Sequence, residues 1–190
     1  MINLGVAIAG GGGKRRKDDF YPTPWEATVA LLEEVEFPER IWEPACGDGA
    51  MVKALQSYGH DVTATDIVRR EPYKLLADFL DSEDSIFQPA NPFAIVTNPP
   101  FKLAEEFIRK ALSFTPVVAM LLKATYPNAA DRIKLFEEHP PSRVMPLTRR
   151  LDFTGGGNPT MDCTWFVWGT EPKPLTLLRK PGPEKHPVLR

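Results

Sequence analysis

Phe93-Ala94-Ile95-Val96-Thr97-Asn98-Pro99-Pro100-Phe101 is the stretch that decides the fold of this 190-residue chain. It opens with an apolar run, which predicts a buried strand. Pro99 and Pro100 lack N–H donors and hold two φ angles fixed, so the chain must leave the strand in a rigid turn. A helical pattern of apolar residues follows directly, from Leu103 onward. Because ligands of open α/β sheets bind at the carboxyl ends of strands, this turn is predicted to border a ligand site.

Strand patterns and helix patterns alternate over most of the chain. Strands are predicted at residues 40–43, 61–65, 93–97, 117–122 and 163–168. Helices are predicted at residues 24–35, 49–58, 103–112 and 129–138, the first of them capped by the Thr23 side chain. The run at 117–122 is apolar throughout, which is typical of a strand covered on both faces of a parallel sheet. The alternation predicts an α/β fold, Rossmann-like and doubly wound, with a mostly parallel sheet and helices on both faces.

The two ends of the chain differ in composition from the middle. Residues 1–19 contain a glycine run followed by four basic residues, and they are predicted to be flexible. Residues 171–190 hold five prolines and several charges, which predicts an extended tail. The folded domain is therefore assigned to residues 20–170. The glycine run is not a phosphate loop, because Ile8 stands where its first glycine should be and Arg15 replaces the Ser or Thr.

The overall composition is that of one globular domain, and we expect a cytoplasmic protein. Of the residues, 43% are hydrophobic and 25% are charged. We expect no membrane association, because no apolar stretch approaches the roughly eighteen residues of a membrane span. Two cysteines are too few for a disulfide scaffold, and no histidine spacing suits zinc, so no metal is expected. A net charge of −2 gives no general support for nucleic-acid binding, although basic residues are concentrated locally, as at Arg149-Arg150.

A glycine-containing turn follows the predicted strand at 40–43. In Glu43-Pro44-Ala45-Cys46-Gly47-Asp48-Gly49, the two glycines would let the backbone pass close to a ligand. The third glycine of the dinucleotide fingerprint is absent, so a pyrophosphate cradle is a poor fit. Asp66 ends the next strand, where a carboxylate can accept both hydroxyls of a ribose. Taken together, these features predict a nucleoside-containing cofactor. Taken alone, each could equally be a simple turn or a solvated aspartate.

The turn at Asn98-Pro99-Pro100-Phe101 presents groups that suit a planar amine. The Asn98 side chain and the Pro99 carbonyl offer two acceptors, and Phe101 offers a flat apolar ring. A second proline pair, Pro140-Pro141, lacks such neighbours. The hypothesis that the turn binds a planar amine therefore depends on the residues around the prolines.

In their order along the chain, these motifs resemble those of class I adenine-N6 DNA methyltransferases, which use S-adenosylmethionine, and in particular the small phage-type members. The matching segments are Phe20-Tyr21-Pro22-Thr23-Pro24, Glu43 to Gly49, Asp66, Asp78-Phe79, Asn98 to Phe101, Arg149-Arg150-Leu151-Asp152-Phe153 and Trp165-Phe166-Val167-Trp168. The resemblance implies a seven-stranded sheet. It also implies methyl transfer from S-adenosylmethionine to the N6 amine of adenine in DNA.

The resemblance further implies a role for each matching residue. The catalytic turn would consist of Asn98, Pro99, Pro100 and Phe101. The cofactor would be bound by Tyr21, Thr23, Pro24, Glu43, Pro44, Ala45, Cys46, Gly47, Asp66, Ile67, Asp78, Phe79 and Asn98, with Asp66 on the ribose and Asp78 and Phe79 on the adenine. The substrate would be contacted by Arg149, Arg150 and Phe153. Two alternatives stay open: Asp78 could cap a helix, and Phe79 could belong to the core.

The adenine amine is a poor nucleophile, because its lone pair is delocalised into the ring. Acceptors at Asn98 Oδ1 and the Pro99 carbonyl would bind its hydrogens and aim the lone pair at the methyl group. The same type of turn serves methyltransferases that act on RNA bases or on a protein glutamine amide, so these remain alternatives. A catalytically inactive nucleic-acid- or cofactor-binding module is a further alternative from another class of function.

Overall fold

The structure is a computed structural model. It describes residues 22–70, 72, 75–81, 93–153, 155–157, 159, 161–173 and 176–179. The segment predicted to be flexible, residues 1–19, lies outside the described residues, as does Tyr21.

Helices and strands alternate along the described residues. The helices are α1 (Trp25–Leu32), α2 (Ala50–Ser57), α3 (Ala104–Phe114) and α4 (Ile133–Glu138). The strands are β1 (Arg40–Glu43), β2 (Asp61–Ala64), β3 (Phe93–Thr97), β4 (Val118–Lys123), β5 (Arg143–Pro146) and β6 (Cys163–Trp168). Short 3-10 turns lie at Phe101–Leu103, Tyr126–Asn128 and Ala130–Arg132. None of the described helices is long and apolar enough to cross a membrane.

The strands form one mixed, mostly parallel sheet in the order β2-β1-β3-β4-β6-β5. The pairs β2–β1, β1–β3 and β3–β4 are parallel, and β6 is antiparallel to both of its neighbours, β4 and β5. The α/β prediction is confirmed, whereas the predicted seven strands are wrong: the described residues contain six. Among the described residues, Asp66, which follows β2, forms an isolated parallel bridge with Leu76. β5 was missed, because its four residues include an arginine and a proline and form no apolar run.

Successive residues of β3 face two different cores. Ala94 and Val96 pack in a cluster that includes Leu31 of α1 and Leu55 of α2. Ile95, which lies between them, packs in a second cluster with Ile108 of α3. This arrangement follows from the two-residue period of a strand. It places helices on both faces of the sheet, as the continuous apolar strand patterns predicted.

Part of the predicted C-terminal tail packs on the domain. Leu178 is 1% exposed and forms a parallel bridge with Leu147, just beyond β5. The Leu178 N–H donates to the Pro146 carbonyl at 2.9 Å. Arg143, itself buried, donates to the carbonyls of Glu171 and Glu34 and so links this segment to the end of α1. Residues 171–173 and 176–179 therefore contribute to the fold.

Candidate active site

The carboxyl ends of β1, β2 and β3 surround a cavity of about 180 Å³. Strands that run parallel end at the same edge of the sheet, so residues far apart in sequence meet there. The predicted site residues that line the cavity are Thr23, Glu43, Pro44, Ala45, Cys46, Gly47, Asp66, Ile67, Asp78, Phe79, Asn98, Pro99, Pro100 and Phe101. The predicted catalytic turn and most of the predicted cofactor residues thus share one cavity.

The side chain of Asn98 is oriented by Thr23. Its Nδ2 donates a 3.1 Å hydrogen bond to Thr23 Oγ1, just before α1. The Thr23 hydroxyl therefore contacts Asn98 and makes no side-chain cap for α1, whose capping position is taken by Pro24. With Nδ2 bound in this way, Oδ1 is the atom that Asn98 can offer to a ligand amine as an acceptor.

The two prolines carry the chain from β3 into a 3-10 turn. The Leu103 N–H donates to the Pro100 carbonyl at 2.9 Å. Among the described residues, the Pro99 carbonyl accepts no backbone hydrogen bond. Both Asn98 and Pro99 line the cavity, so two residues that carry acceptor oxygens lie next to each other in its wall. That this pair binds a planar amine stays a prediction from the sequence.

The turn after β1 uses glycine for its backbone geometry. Gly47 has φ of 56° and Gly49 has φ of 79°, in the left-handed region that other residues rarely adopt. The Gly49 N–H donates to the Cys46 carbonyl at 2.8 Å, which closes the turn at the start of α2. The backbone of this turn forms part of the cavity wall.

Asp66 is already engaged by three donors. Its Oδ2 accepts from the Gly47 N–H at 2.8 Å, and its Oδ1 accepts from the Val68 N–H at 2.8 Å and from Arg70 Nη1 at 2.9 Å. A carboxylate has about four acceptor positions. Asp66 can therefore take about one further donor, on Oδ2, so the predicted bonds to both ribose hydroxyls require Arg70 to move.

Glu43 is buried at the floor of the cavity and is 1% exposed. Its Oε1 accepts from the Thr97 hydroxyl at 2.6 Å and from the Ala45 N–H at 3.0 Å. Burial disfavours the charged form and raises the pKa of Glu43 to about 8, although both hydrogen bonds oppose this shift. At neutral pH the carboxyl is therefore mainly protonated, and it ties the ends of β1 and β3 together.

Asp78 and Phe79 border the cavity in different ways. Asp78 is exposed, and its Oδ1 accepts from the Leu80 N–H at 3.0 Å. Phe79 is 2% exposed and packs against Trp42 and Phe107, with ring centroids 5.1 and 4.8 Å away. Its ring thus belongs to the core and also reaches the cavity wall. Ile67, 66% exposed, supplies an apolar surface at the rim.

The residues predicted to contact substrate lie outside the cavity lining. Arg149 Nη2 lies 3.5 Å from Glu26 Oε1, and burial lowers the pKa of the Arg149 guanidinium. Arg150 pairs with Asp162 at 3.2 Å. Phe153 is 7% exposed and packs in the core that contains Leu31. Pro24 is also absent from the lining.

Sequence reasoning missed Arg70, which lines the cavity and holds Asp66. The two residues are four positions apart, but outside a helix this spacing does not predict contact. Within the part of the chain that the structure describes, no cluster of three or more His, Cys, Asp or Glu residues could hold a metal.

No family model and no curated protein matches the chain. Several solved structures are similar to it. One is a protein of Pyrococcus horikoshii provisionally assigned as an RNA methyltransferase, with a TM-score of 0.57, 16% identity, and 84% of this chain and 93% of that chain covered. A second is the rRNA methyltransferase AviRa from Streptomyces viridochromogenes, with a TM-score of 0.51, 10% identity, and 80% and 88% covered. A third is the type IIG restriction endonuclease BpuSI, with a TM-score of 0.54, 15% identity, and 82% and 26% covered.

At these identities the likeness shows the fold. The chain has the fold of the class I S-adenosylmethionine-dependent methyltransferases.

Proposed function

We propose that this protein transfers a methyl group from S-adenosylmethionine to the exocyclic N6 amine of adenine in DNA. The observation that carries the proposal is that Asn98 and Pro99, which carry two acceptor oxygens, line one cavity together with Gly47 and Asp66. Methyl transfer requires the two ligands to be bound side by side. Two hydrogen-bond acceptors for an amine and a site that suits a nucleoside meet this requirement when they share a cavity.

The residues of the cavity suit S-adenosylmethionine. The Gly47 turn offers close backbone approach, the remaining acceptor position of Asp66 suits a ribose hydroxyl, and Ile67 offers an apolar surface for the adenine. When bound, the cofactor would supply an electrophilic methyl group. The neutral Glu43 carboxyl would keep charge out of the floor of this site.

The catalytic turn would act by orienting the target amine. Thr23 holds the Asn98 amide so that Oδ1 can accept one amine hydrogen, and the Pro99 carbonyl would accept the other. These bonds favour a tetrahedral nitrogen whose lone pair points at the methyl group. The nitrogen would bond to the methyl carbon as the bond from that carbon to sulfur breaks, and it would then release one proton to solvent, so no strong base is needed before attack.

A base in a duplex must leave the stack to reach the cavity, at a cost of a few kcal/mol. Stacking on the Phe101 ring would return about 1–3 kcal/mol of this cost. Phe101 lines the cavity directly after the two prolines, where a base whose amine meets Asn98 would lie.

An amine on an RNA base is the second candidate substrate. Two of the three similar structures named above are described as RNA methyltransferases. DNA is supported because residues 20–24 resemble a motif of the adenine-N6 DNA methyltransferases. Of these residues, Pro22, Thr23 and Pro24 are among the described ones.

The test is an incubation of the purified protein with tritiated S-adenosylmethionine and, in separate reactions, unmethylated DNA, RNA and a mixed protein extract. N6-methyladenine in the DNA is the expected product. Label in RNA or protein alone would overturn the DNA proposal and assign the alternative substrate. Label in none of the three would overturn the methyltransferase proposal itself.

Asn98→Ala is expected to abolish transfer while the protein still binds the cofactor. Asn128→Ala is the matched control, because Asn128 is exposed on a 3-10 turn outside the cavity lining. Retained turnover in Asn98→Ala would refute the role assigned to Asn98.

A further inference from the structure

Lys123 contacts the ring of the catalytic turn. It is the last residue of β4 and the one exposed position of that strand. Its Nζ lies 5.1 Å from the centroid of the Phe101 ring, a distance at which an ammonium group is attracted to an aromatic face. Because β4 pairs with β3, the carboxyl end of β4 lies beside the catalytic turn that follows β3.

The charge of Lys123 is not neutralised by a carboxylate among the described residues. Other basic residues at this edge of the sheet have acidic partners, such as Asp162 for Arg150 and Glu26 for Arg149. Lys123 forms no such ion pair within the described part of the chain, and its ammonium group contacts the Phe101 ring. An exposed ammonium without a carboxylate partner can exchange its contact at little cost.

Phe101 lies between the cavity and the carboxyl end of β4. The cavity is at the carboxyl ends of β1, β2 and β3, and Phe101 belongs to its lining. Lys123 is not part of that lining and approaches Phe101 from the side of β4. Since the part of the cavity at the Gly47 turn and Asp66 suits the cofactor, a polymeric substrate would reach the ring from the Lys123 side, with its target amine directed into the cavity towards Asn98.

We propose that Lys123 covers the Phe101 ring in the free protein, and that a target base stacking on this ring displaces it onto a phosphodiester group beside the target nucleotide. The proposal rests on the proposed function. An exposed contact between an ammonium and a ring is weaker than base stacking on an aromatic side chain, so the base wins the exchange. The released ammonium is then next to a polyanion, which it neutralises with release of a counterion.

The test measures how the dissociation constant of short oligonucleotides, single-stranded DNA and RNA of the same sequence, depends on salt concentration. Removing one phosphate contact lowers the steepness of log K against log salt by about 0.7 for single strands. Lys123→Met is expected to show this reduction, with a higher KM and little change in kcat. Lys123→Arg is expected to keep the steepness of the wild type.

Lys110→Met is the matched control. Lys110 Nζ also lies 5.1 Å from a phenylalanine ring, that of Phe114, but on α3 and outside the cavity lining. The same change of charge and of ring contact at this position is expected to leave the salt dependence and KM unchanged. Equal effects of the two substitutions would overturn the proposal, because they would reflect net charge alone.

Displacement is followed by NMR of the Lys123 side chain. Its methylene protons next to Nζ are expected to be shifted upfield by the ring in the free protein and to lose this shift when the oligonucleotide binds. An upfield shift that persists in the complex would overturn the exchange. If the wild-type protein methylates nucleic acid but Lys123→Met keeps its salt dependence, only this inference fails. If the wild type neither binds nor methylates nucleic acid, the proposed function fails and this inference fails with it.

Discussion

Asn98 Nδ2 donates to Thr23 Oγ1 at 3.1 Å, and this bond joins residues 75 positions apart in the sequence. It connects the carboxyl end of β3 to the residue before Pro24 at the start of α1. The bond engages Asn98 Nδ2 and leaves Oδ1 as the acceptor of this amide. The orientation of the candidate catalytic group therefore depends on an element outside its own turn.

Thr23→Val is expected to lower the rate of methyl transfer by up to about tenfold, because one hydrogen bond is worth about 0.5–1.5 kcal/mol and the Asn98 amide could then rotate. Single-turnover measurements with saturating cofactor separate this effect from cofactor binding. Thr23→Ser keeps the hydroxyl and should retain most of the rate. A Thr23→Val protein as fast as the wild type would refute the orienting role.

Asp66→Ala is expected to raise the dissociation constant of S-adenosylmethionine by about 10- to 100-fold. It removes the acceptor of the Gly47 N–H and the proposed ribose contact, and hydrogen bonds to a charged group are worth about 1.5–3 kcal/mol. Isothermal titration calorimetry measures the affinity. The control is Asp61→Ala, because Asp61 is exposed at the start of β2, the strand that precedes Asp66. Equal affinities of the two variants would contradict the role of Asp66.

Arg70→Met is expected to affect cofactor affinity much less than Asp66→Ala. Arg70 occupies one acceptor position of Asp66 Oδ1, and its loss leaves the bonds from the Gly47 and Val68 N–H groups in place. The freed position can accept a second ribose hydroxyl. A loss of affinity as large as that of Asp66→Ala would show that Arg70 itself contacts the cofactor.

Glu43 is expected to make stability depend on pH. Folding raises its pKa from 4.5 to about 8, so between these values the folded protein holds a proton that the unfolded chain has released. The contribution of Glu43 to stability is therefore complete below pH 4.5 and is lost as the pH rises towards about 8, at no more than about 1.4 kcal/mol per pH unit.

Glu43→Gln mimics the protonated acid and should remove this dependence. Urea unfolding of both proteins from pH 5 to pH 8 measures the difference in the free energy of unfolding, which should shift in favour of the variant as the pH rises. Parallel curves for the two proteins would mean that Glu43 titrates near its ordinary pKa.

Leu178→Ala is expected to lower the free energy of unfolding by about 2–5 kcal/mol, because Leu178 is 1% exposed in the core formed with Leu147. The adjacent Leu177 is 57% exposed, so Leu177→Ala is expected to have little effect. Chemical denaturation measures both. Equal effects would show that residues 176–179 do not pack as described.

Local patterns alone predicted several elements correctly. The strands at Arg40–Glu43, Phe93–Thr97 and Cys163–Trp168 match the prediction, because each is a short run of residues that are largely buried on both faces of the sheet. β5 was not predicted, since it begins at Arg143, a buried charged residue whose hydrogen bonds go to the distant carbonyls of Glu171 and Glu34. Such bonds join distant residues and leave no periodic pattern.

The start of α4 shows the same limit. The sequence predicted a helix from residue 129, whereas Ala130–Arg132 forms a 3-10 turn and the α-helix begins at Ile133. The sequence also predicted that the Thr23 side chain caps α1. In the structure the Thr23 hydroxyl binds Asn98, and Pro24 takes the capping position. When a side chain has two possible hydrogen-bond partners, the tertiary structure determines which of them lies within reach.

The sequence by itself determined the α/β fold and the chemical groups of the candidate site: a strand, two prolines that end it, an amide, a carbonyl and a ring. The tertiary structure alone decided what these groups contact. It placed Phe153 in the core, engaged Asp66 with Arg70, and set Lys123 over Phe101. The physical reason is range. Backbone restrictions and periodicity act between near neighbours in sequence, whereas burial, ion pairing and ring contacts depend on which strand ends the sheet brings side by side.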